Sequence, residues 1–554
     1  MFGMTLPRSQ RIRGTALKAL VAAVRSSPLG GSVTRRLRAD LGVETLRTAS
    51  PELRGAIPTN AYPIAARRTS ARMPSRLALT DPGAWPRSVQ SYANAYRCGE
   101  WKPSAMTADA LEEARRLATL RPSRGPLLSE DADRALAAAR ESDQRISTGN
   151  ARGALEGVPI VVKEEMDVAG LPTRMGTAWH PPRPAASDCV AVARLRAAGA
   201  VVLGNSPMTE YGLSPLGVNP HRNLPRNAHA PDRLAGGSST GSAVAVAMGV
   251  VPVALGCDAG GSIRIPAALN GVFGLKPTFG RIPTTGHGLV GGSTLVHVGP
   301  IGASSHDLAL FLQAAAGPDE NDPASLQQPP LAAGELVEAL GRGVEGLRIG
   351  IDDADWADAD SEVARAAYDA VQALVRDGAE LVPVRVELAP RAAAIGYVTI
   401  GVEMLCALDD ARAHWHELGP DVRLLLAGLT RFGPAEYLQA QRLRQTLRRQ
   451  LAEALAQADL LALPTTARVA LAVTDAEART GFVDSPGLNA MCRFSFLANL
   501  TGVPASTAPV GKSAEGLPIG LQLLGDAWDE ATVLQATAHL ERLGAARVER
   551  PPTL

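Results

Sequence analysis

The chain has 554 residues, 46% of them hydrophobic and 20% charged, and its 56 Lys and Arg against 55 Asp and Glu leave a formal net charge of +1. That balance excludes the basic footprint of a nucleic-acid binder, and the length exceeds one simple core while fitting a large α/β domain with insertions. Five cysteines (Cys98, Cys189, Cys257, Cys406, Cys492) are sparse, odd in number and unclustered, which excludes a disulfide framework or a zinc site and points to a reducing compartment.

Charge is spread unevenly. Residues 1–80 hold fourteen Lys/Arg and three Asp/Glu, a local +11 that leaves −10 for the remainder. This front segment reads as a basic extension, loosely ordered or serving as a targeting piece, because it is rich in Arg and Ser and poor in acids. Its apolar piece, Ala16 to Val24, is interrupted by Lys18 and is far too short to span a bilayer. A cytoplasmic location is expected, with targeting left open by that segment.

The rest, 81–554, reads as one domain. Apolar residues at three- and four-residue spacing predict helices over 88–97, 107–119 and 130–148, a helical cap covering 81–154. Gly157-Val-Pro-Ile-Val-Val-Lys163 then has the length and composition of a buried strand, and opens a catalytic core, 155–310. A helix over 188–199 ends on glycine and leads to a strand at 200–204. The stretch 211–235, with its prolines and asparagines, is a long surface loop.

Next comes GGSSTGSAVAVAMGVVPVALGCDAGGSIR, Gly236 to Arg264, in which two Gly/Ser loops flank a small-residue helix (242–248) and a short β-branched strand (250–255). Paired glycines remove side chains where backbone must approach a ligand. The second loop places Ser262 just past a strand end, among backbone N–H groups of Ala259, Gly260, Gly261 and Ser262. Such a cluster suits a developing oxyanion.

Beyond Arg281, glycine-rich loops at 284–293 lead to a helix over 305–315 and a Pro-rich connection, 317–330. A further β-α-β unit spans 347–351, 360–377 and 380–386, inside a variable, substrate-side region of 311–460. A long helix over 434–458 feeds a strand at 460–463. In the last part, 461–554, strands at 505–510 and 518–524 pair as a hairpin and a helix over 530–543 closes the chain. The βαβ rhythm predicts a large, mostly parallel, mixed and twisted sheet covered by helices on both faces.

A serine needs a base, and the lysine inventory suggests one. Only five of the 56 cations are lysine (Lys18, Lys102, Lys163, Lys276, Lys512), so a lysine marks a role that arginine, which does not deprotonate, cannot fill. Lys163 ends a buried strand, where desolvation favours the neutral amine. A strand-end lysine that reaches solvent or pairs with Glu164 or Glu165 is the structural alternative.

Residues from about 85 to 545 resemble the amidase signature family. The resemblance rests on the Gly/Ser block, the following GVFGLKPTFGR (Gly271 to Arg281), the upstream GVPIVVKEEMDVAGLPT (Gly157 to Thr173), and the downstream NLTGVPASTAPV (Asn499 to Val510) and GLPIGLQLLG (Gly516 to Gly525). It implies the family's α/β/α fold and amide hydrolysis through a seryl acyl-enzyme, with Ser262 as nucleophile, Ser238 as a bridging serine after a cis Gly-Ser peptide, and Lys163 as base. Asp258 and Arg264 are expected to support the nucleophile loop, and Ser239 to hydrogen-bond near Lys163. No metal and no organic cofactor is expected; the partner is a small-molecule amide, with no nucleic acid and a homodimer possible.

Some positions depart from the family pattern: Thr240 for glycine, Cys257 for threonine or serine, and Glu164 for aspartate. Two other functions compete. One is a glutamine-hydrolysing subunit of a tRNA-dependent amidotransferase, in which an acidic residue about seven positions before the Asn-Leu-x-Gly block grips the substrate amine; here Cys492 stands there. The other is an α/β-hydrolase esterase using Ser239 of G-x-S-x-G with His539, which requires a strand directly before the motif. Tyr397, Met404, Trp415 and Phe432 are candidates for an apolar substrate pocket, with core packing the default for each.

Overall fold

The computed structural model describes residues 11–25, 29–48, 85–289, 293–408, 411 and 413–552. Eleven strands form one sheet, in the order Ser129–Glu130, Val201–Ser206, Pro159–Lys163, Val253–Asp258, His297–Gly302, Phe273–Lys276, Ala505–Lys512, Pro518–Leu524, Leu460–Pro464, Arg348–Ile351 and Glu380–Pro383. Parallel pairing is confined to the flanks, where Pro159–Lys163 lies between Val201–Ser206 and Val253–Asp258, and Arg348–Ile351 lies between Leu460–Pro464 and Glu380–Pro383. The centre is antiparallel, from Val253–Asp258 through to Leu460–Pro464. The mixed sheet is therefore mostly parallel only at its two sides. Short links such as Lys512 to Pro518 allow only antiparallel neighbours, whereas the flanking strands are joined by helical crossovers.

Both faces of the sheet are apolar, as burial under helices requires. Along Pro159–Lys163, Ile160 and Val162 enter one core while Val161 enters the other, and Val253 and Leu255 are separated from Ala254 in the same way. The helix Thr240–Ala247 is buried on every side, which its run of small and apolar residues permits. Predicted elements fall close to those observed: 305–315 is a helix to the residue, 434–457 is the long helix, and the hairpin of Ala505–Lys512 with Pro518–Leu524 is in place.

Part of the basic front segment is folded against the body. Ile12–Arg13 pairs antiparallel with Phe482–Val483, and the helix Gly14–Arg25 buries Leu17 and Val21 against Leu424 and Ala427 of the helix Pro420–Leu429. Leu29–Asp40 and a short 3-10 turn, Val43–Thr48, continue the packing. Its arginines meet acids of the body: Arg11 lies 3.2 Å from Glu477 and 3.3 Å from Asp484, and Arg38 lies 2.7 Å from Glu436. The remainder of the proposed extension, 1–10, 26–28 and 49–80, lies outside the described residues. No helix among the described residues is long and apolar enough to cross a membrane.

Candidate active site

Two neighbouring strands carry the chemistry to one end of the sheet. Pro159–Lys163 ends on Lys163, 1% exposed, and Val253–Asp258 ends on Cys257 and Asp258 before the loop that holds Ser262. The Lys163 Nζ donates to Ser238 Oγ at 2.7 Å and to the Cys257 carbonyl at 3.3 Å. Ser239 Oγ donates to the same carbonyl at 3.2 Å, which places it beside the lysine. The Gly237-Ser238 peptide is cis. Among the described residues no hydrogen bond joins the Ser238 and Ser262 hydroxyls.

Asp258 organises the nucleophile loop. Its carboxylate pairs with Arg264 through two contacts of 3.0 Å and accepts the backbone N–H of Gly261 at 2.7 Å and of Ile263 at 3.2 Å. Arg264 in turn donates to the Ser495 carbonyl, Gln522 Oε1 and Asn499 Oδ1 at 2.7 to 3.0 Å, and Asn499 Nδ2 donates back to Asp258. Both charges are completely buried, so every lone pair and proton needs a partner, and this network supplies them. Burial pushes the Asp258 carboxyl up, but Arg264, Asn499 and Lys276 outweigh it and hold the group well below the usual carboxylate range.

One of the four expected oxyanion donors is already engaged: the Gly261 N–H donates to Asp258 Oδ1 at 2.7 Å. Ala259, Gly260 and Ser262 are half-buried and line one cavity, and none of their N–H groups has a hydrogen-bond acceptor among the described residues. Gly260 and Gly261 are required here: a Cβ on either would lie 2.6 Å or closer to Phe496 or Ile265.

Lys163 has a third contact, Glu165 Oε1 at 2.6 Å. The pairing held open as the structural alternative therefore exists together with the Ser238 contact, and burial alone does not describe this lysine. Burial raises the Glu165 carboxyl, yet Lys163 and His287 more than reverse this and keep it ionised. Glu164 points elsewhere: it accepts from the Gly176 N–H at 3.0 Å and faces Arg222, and burial pushes it up to about 7.

The amidase family model matches residues 111–534 of this chain, more than three quarters of its length. The chain belongs to the amidase signature family. This amidase is 34% identical over 475 residues to a fatty acid amide hydrolase of Medicago truncatula, covering 84% of this chain and 77% of that relative. It is 35% identical over 484 residues to a glutamyl-tRNA(Gln) amidotransferase component of Chloroflexus aurantiacus, covering 80% of this chain and 95% of the relative. Among solved structures it matches the peptide amidase of Stenotrophomonas maltophilia with a TM-score of 0.71 and 28% identity, over 85% of this chain and 99% of that one. It is an amidohydrolase with the α/β fold of that family.

The esterase pairing is not assembled in this amidase. Ser239 is tied to the Cys257 carbonyl, His539 contacts Asp377 and Arg542, and the residues before Gly236 form a loop. The only grouping of three metal-type donors among the described residues is Glu165, Cys257 and His287; there Lys163 Nζ lies 2.6 Å from Glu165, and burial and that carboxylate hold the thiol protonated. Sequence reasoning missed Ser495, Asn499 and Gln522 as partners of Arg264, since they lie 231 to 258 positions away with no spacing signal. Of the four candidate pocket residues, Tyr397 lines the Ser262 cavity and Phe432 its neighbour, whereas Met404 and Trp415 pack in an adjoining apolar cluster.

Proposed function

We propose that this amidase cleaves the C–N bond of amides bearing an extended apolar acyl chain, with Ser262 as nucleophile, Ser238 as proton relay and Lys163 as base. The observation that carries the substrate class is the cavity. The cavity at Ser262 is walled by Tyr397, Ile400, Phe496 and leucines, and shares Leu41, Leu213, Leu425, Leu429 and Leu488 with a second, mostly apolar cavity. We take these two adjoining apolar cavities as the path of the acyl chain. Leu37 and Leu41 of the front segment form part of its wall.

In this reading neutral Lys163 takes the Ser238 proton while Ser238 takes that of Ser262. The Ser262 Oγ–carbon bond forms, and the oxyanion is met by the N–H groups of Ala259, Gly260 and Ser262. Ser238 returns a proton to the leaving nitrogen as the C–N bond breaks, and water repeats the sequence on the acyl-enzyme. The fatty acid amide hydrolase relative supports an acyl chain as the occupant. Against glutamine stands Cys492, which lines the Ser262 cavity where the amine grip of an amidotransferase is expected. A series of primary amides from acetamide to long-chain acyl amides tests the reading: kcat/KM is expected to climb with chain length, and a maximum at acetamide or glutamine would overturn it.

A further inference from the structure

Glu165 is the one buried charge touching Lys163 that the reaction just described does not use. It sits two residues beyond the lysine, 4% exposed, with Oε1 at 2.6 Å from Nζ and Oε2 at 3.6 Å from His287 Nε2. His287 is itself fixed. The loop carrying it runs along the Lys163–Asp167 segment, with Gly288 N–H donating to the Glu165 carbonyl at 2.7 Å and Asp167 N–H to Gly286 at 2.8 Å. The Leu289 N–H donates to His287 Nδ1 at 3.1 Å, so the proton of the neutral ring is on Nε2, facing Glu165. The Glu165 carboxylate thus lies between Lys163 and His287.

Resting on Lys163 as the base, we propose that Glu165 is a positioning residue that fixes the pH at which Lys163 becomes competent. The lysine must lose a proton before it can accept one from Ser238. A carboxylate in contact favours the charged form of an amine. Other groups facing the pair do not offset it: the Cys257 thiol is neutral, Glu164 is turned to Gly176 and Arg222, Glu210 pairs with His221, and Asp258 is matched by Arg264. Gly212 keeps the approach open, since a Cβ there would lie 3.2 Å from Ser238 Oγ and 3.7 Å from Glu165 Oε2. Lys163 is thus aimed at Ser238 by the same contact that holds its proton, and activity rises with pH as the cluster loses one proton.

The test is the pH profile of Ser262 labelling by a small fluorophosphonate, which needs the base and no acyl-chain contact. Glu165→Gln keeps the size and removes the charge; its acid limb is expected at least about one pH unit below that of the parent. Glu165→Asp keeps the charge, and its limb is expected nearer the parent's than that of Glu165→Gln. Limbs that superimpose in all three proteins would overturn the proposal, as would a folded Glu165→Gln protein unlabelled at every pH, which would make the carboxylate an obligatory proton carrier. If Glu165→Gln does not fold, a Glu165→Asp limb lying above the parent's or superimposed on a Lys163→Ala profile overturns it too. Lys163→Ala separates the two levels: labelling that persists with the parent's pH dependence contradicts the base itself, whereas its loss alongside an unshifted Glu165→Gln limb contradicts only the role of Glu165.

Discussion

The block around Asp258 and Lys163 and the channel wall around Leu41 and Leu429 solve opposite problems. The first buries charge, so each group needs a specific partner at 2.6 to 3.3 Å, and removing one strands another. The second buries mostly methyl and ring surface, where size matters more than identity. In the proposed reading the chemistry is fixed in the interior of the sheet, while selectivity rests on elements laid over it, including a segment from the other end of the chain.

That contrast breaks most visibly at the reacting groups. Ser262→Ala and Lys163→Ala are each expected to lower kcat by about 10³-fold or more on any amide, short or long, with the melting temperature little changed. Next comes the support: Asp258→Asn leaves Arg264 buried without its counter-charge and is expected to cost about 3–5 kcal/mol in chemical denaturation. The sign with pH follows from the depressed Asp258 pKa: its stabilisation is complete above the carboxylate's unfolded value of about 4 and is lost as pH falls, so the variant should show a flatter acid limb of stability.

In the wall the effects are smaller and selective. Leu41→Trp fills the channel, and about a tenfold drop in kcat/KM is expected for long-chain amides with none for acetamide; equal loss on both would place Leu41 outside the acyl path. Least of all, Arg38→Gln removes a partly exposed contact with Glu436 and is expected to cost less than about 1 kcal/mol, read as faster proteolysis within the front segment and as a smaller difference from the parent at high salt.

Much of the catalytic block was legible because local rules specify it. Paired glycines, a serine after each pair and the scarcity of lysine single out Ser238, Ser262 and Lys163 as candidates, and the family resemblance assigns their expected roles. The rest depends on contacts between distant residues. A loop written as sequence does not show that an aspartate three residues back will accept the Gly261 N–H. The antiparallel centre of the sheet was hidden by the βαβ rhythm of its flanks. The front segment offered a clue in its +11 against −10 for the remainder, and Arg11, Arg13 and Arg38 do meet Glu477, Asp484 and Glu436; net charge says that two parts attract, not where they touch.

The central claim is that Ser262 forms the acyl-enzyme with Lys163 as its base. Peptide mapping by mass spectrometry after fluorophosphonate treatment tests it most directly. The account predicts a single adduct on Ser262, lost in Lys163→Ala. An adduct on Ser239 or Cys257, or full labelling of Ser262 in Lys163→Ala, would contradict it.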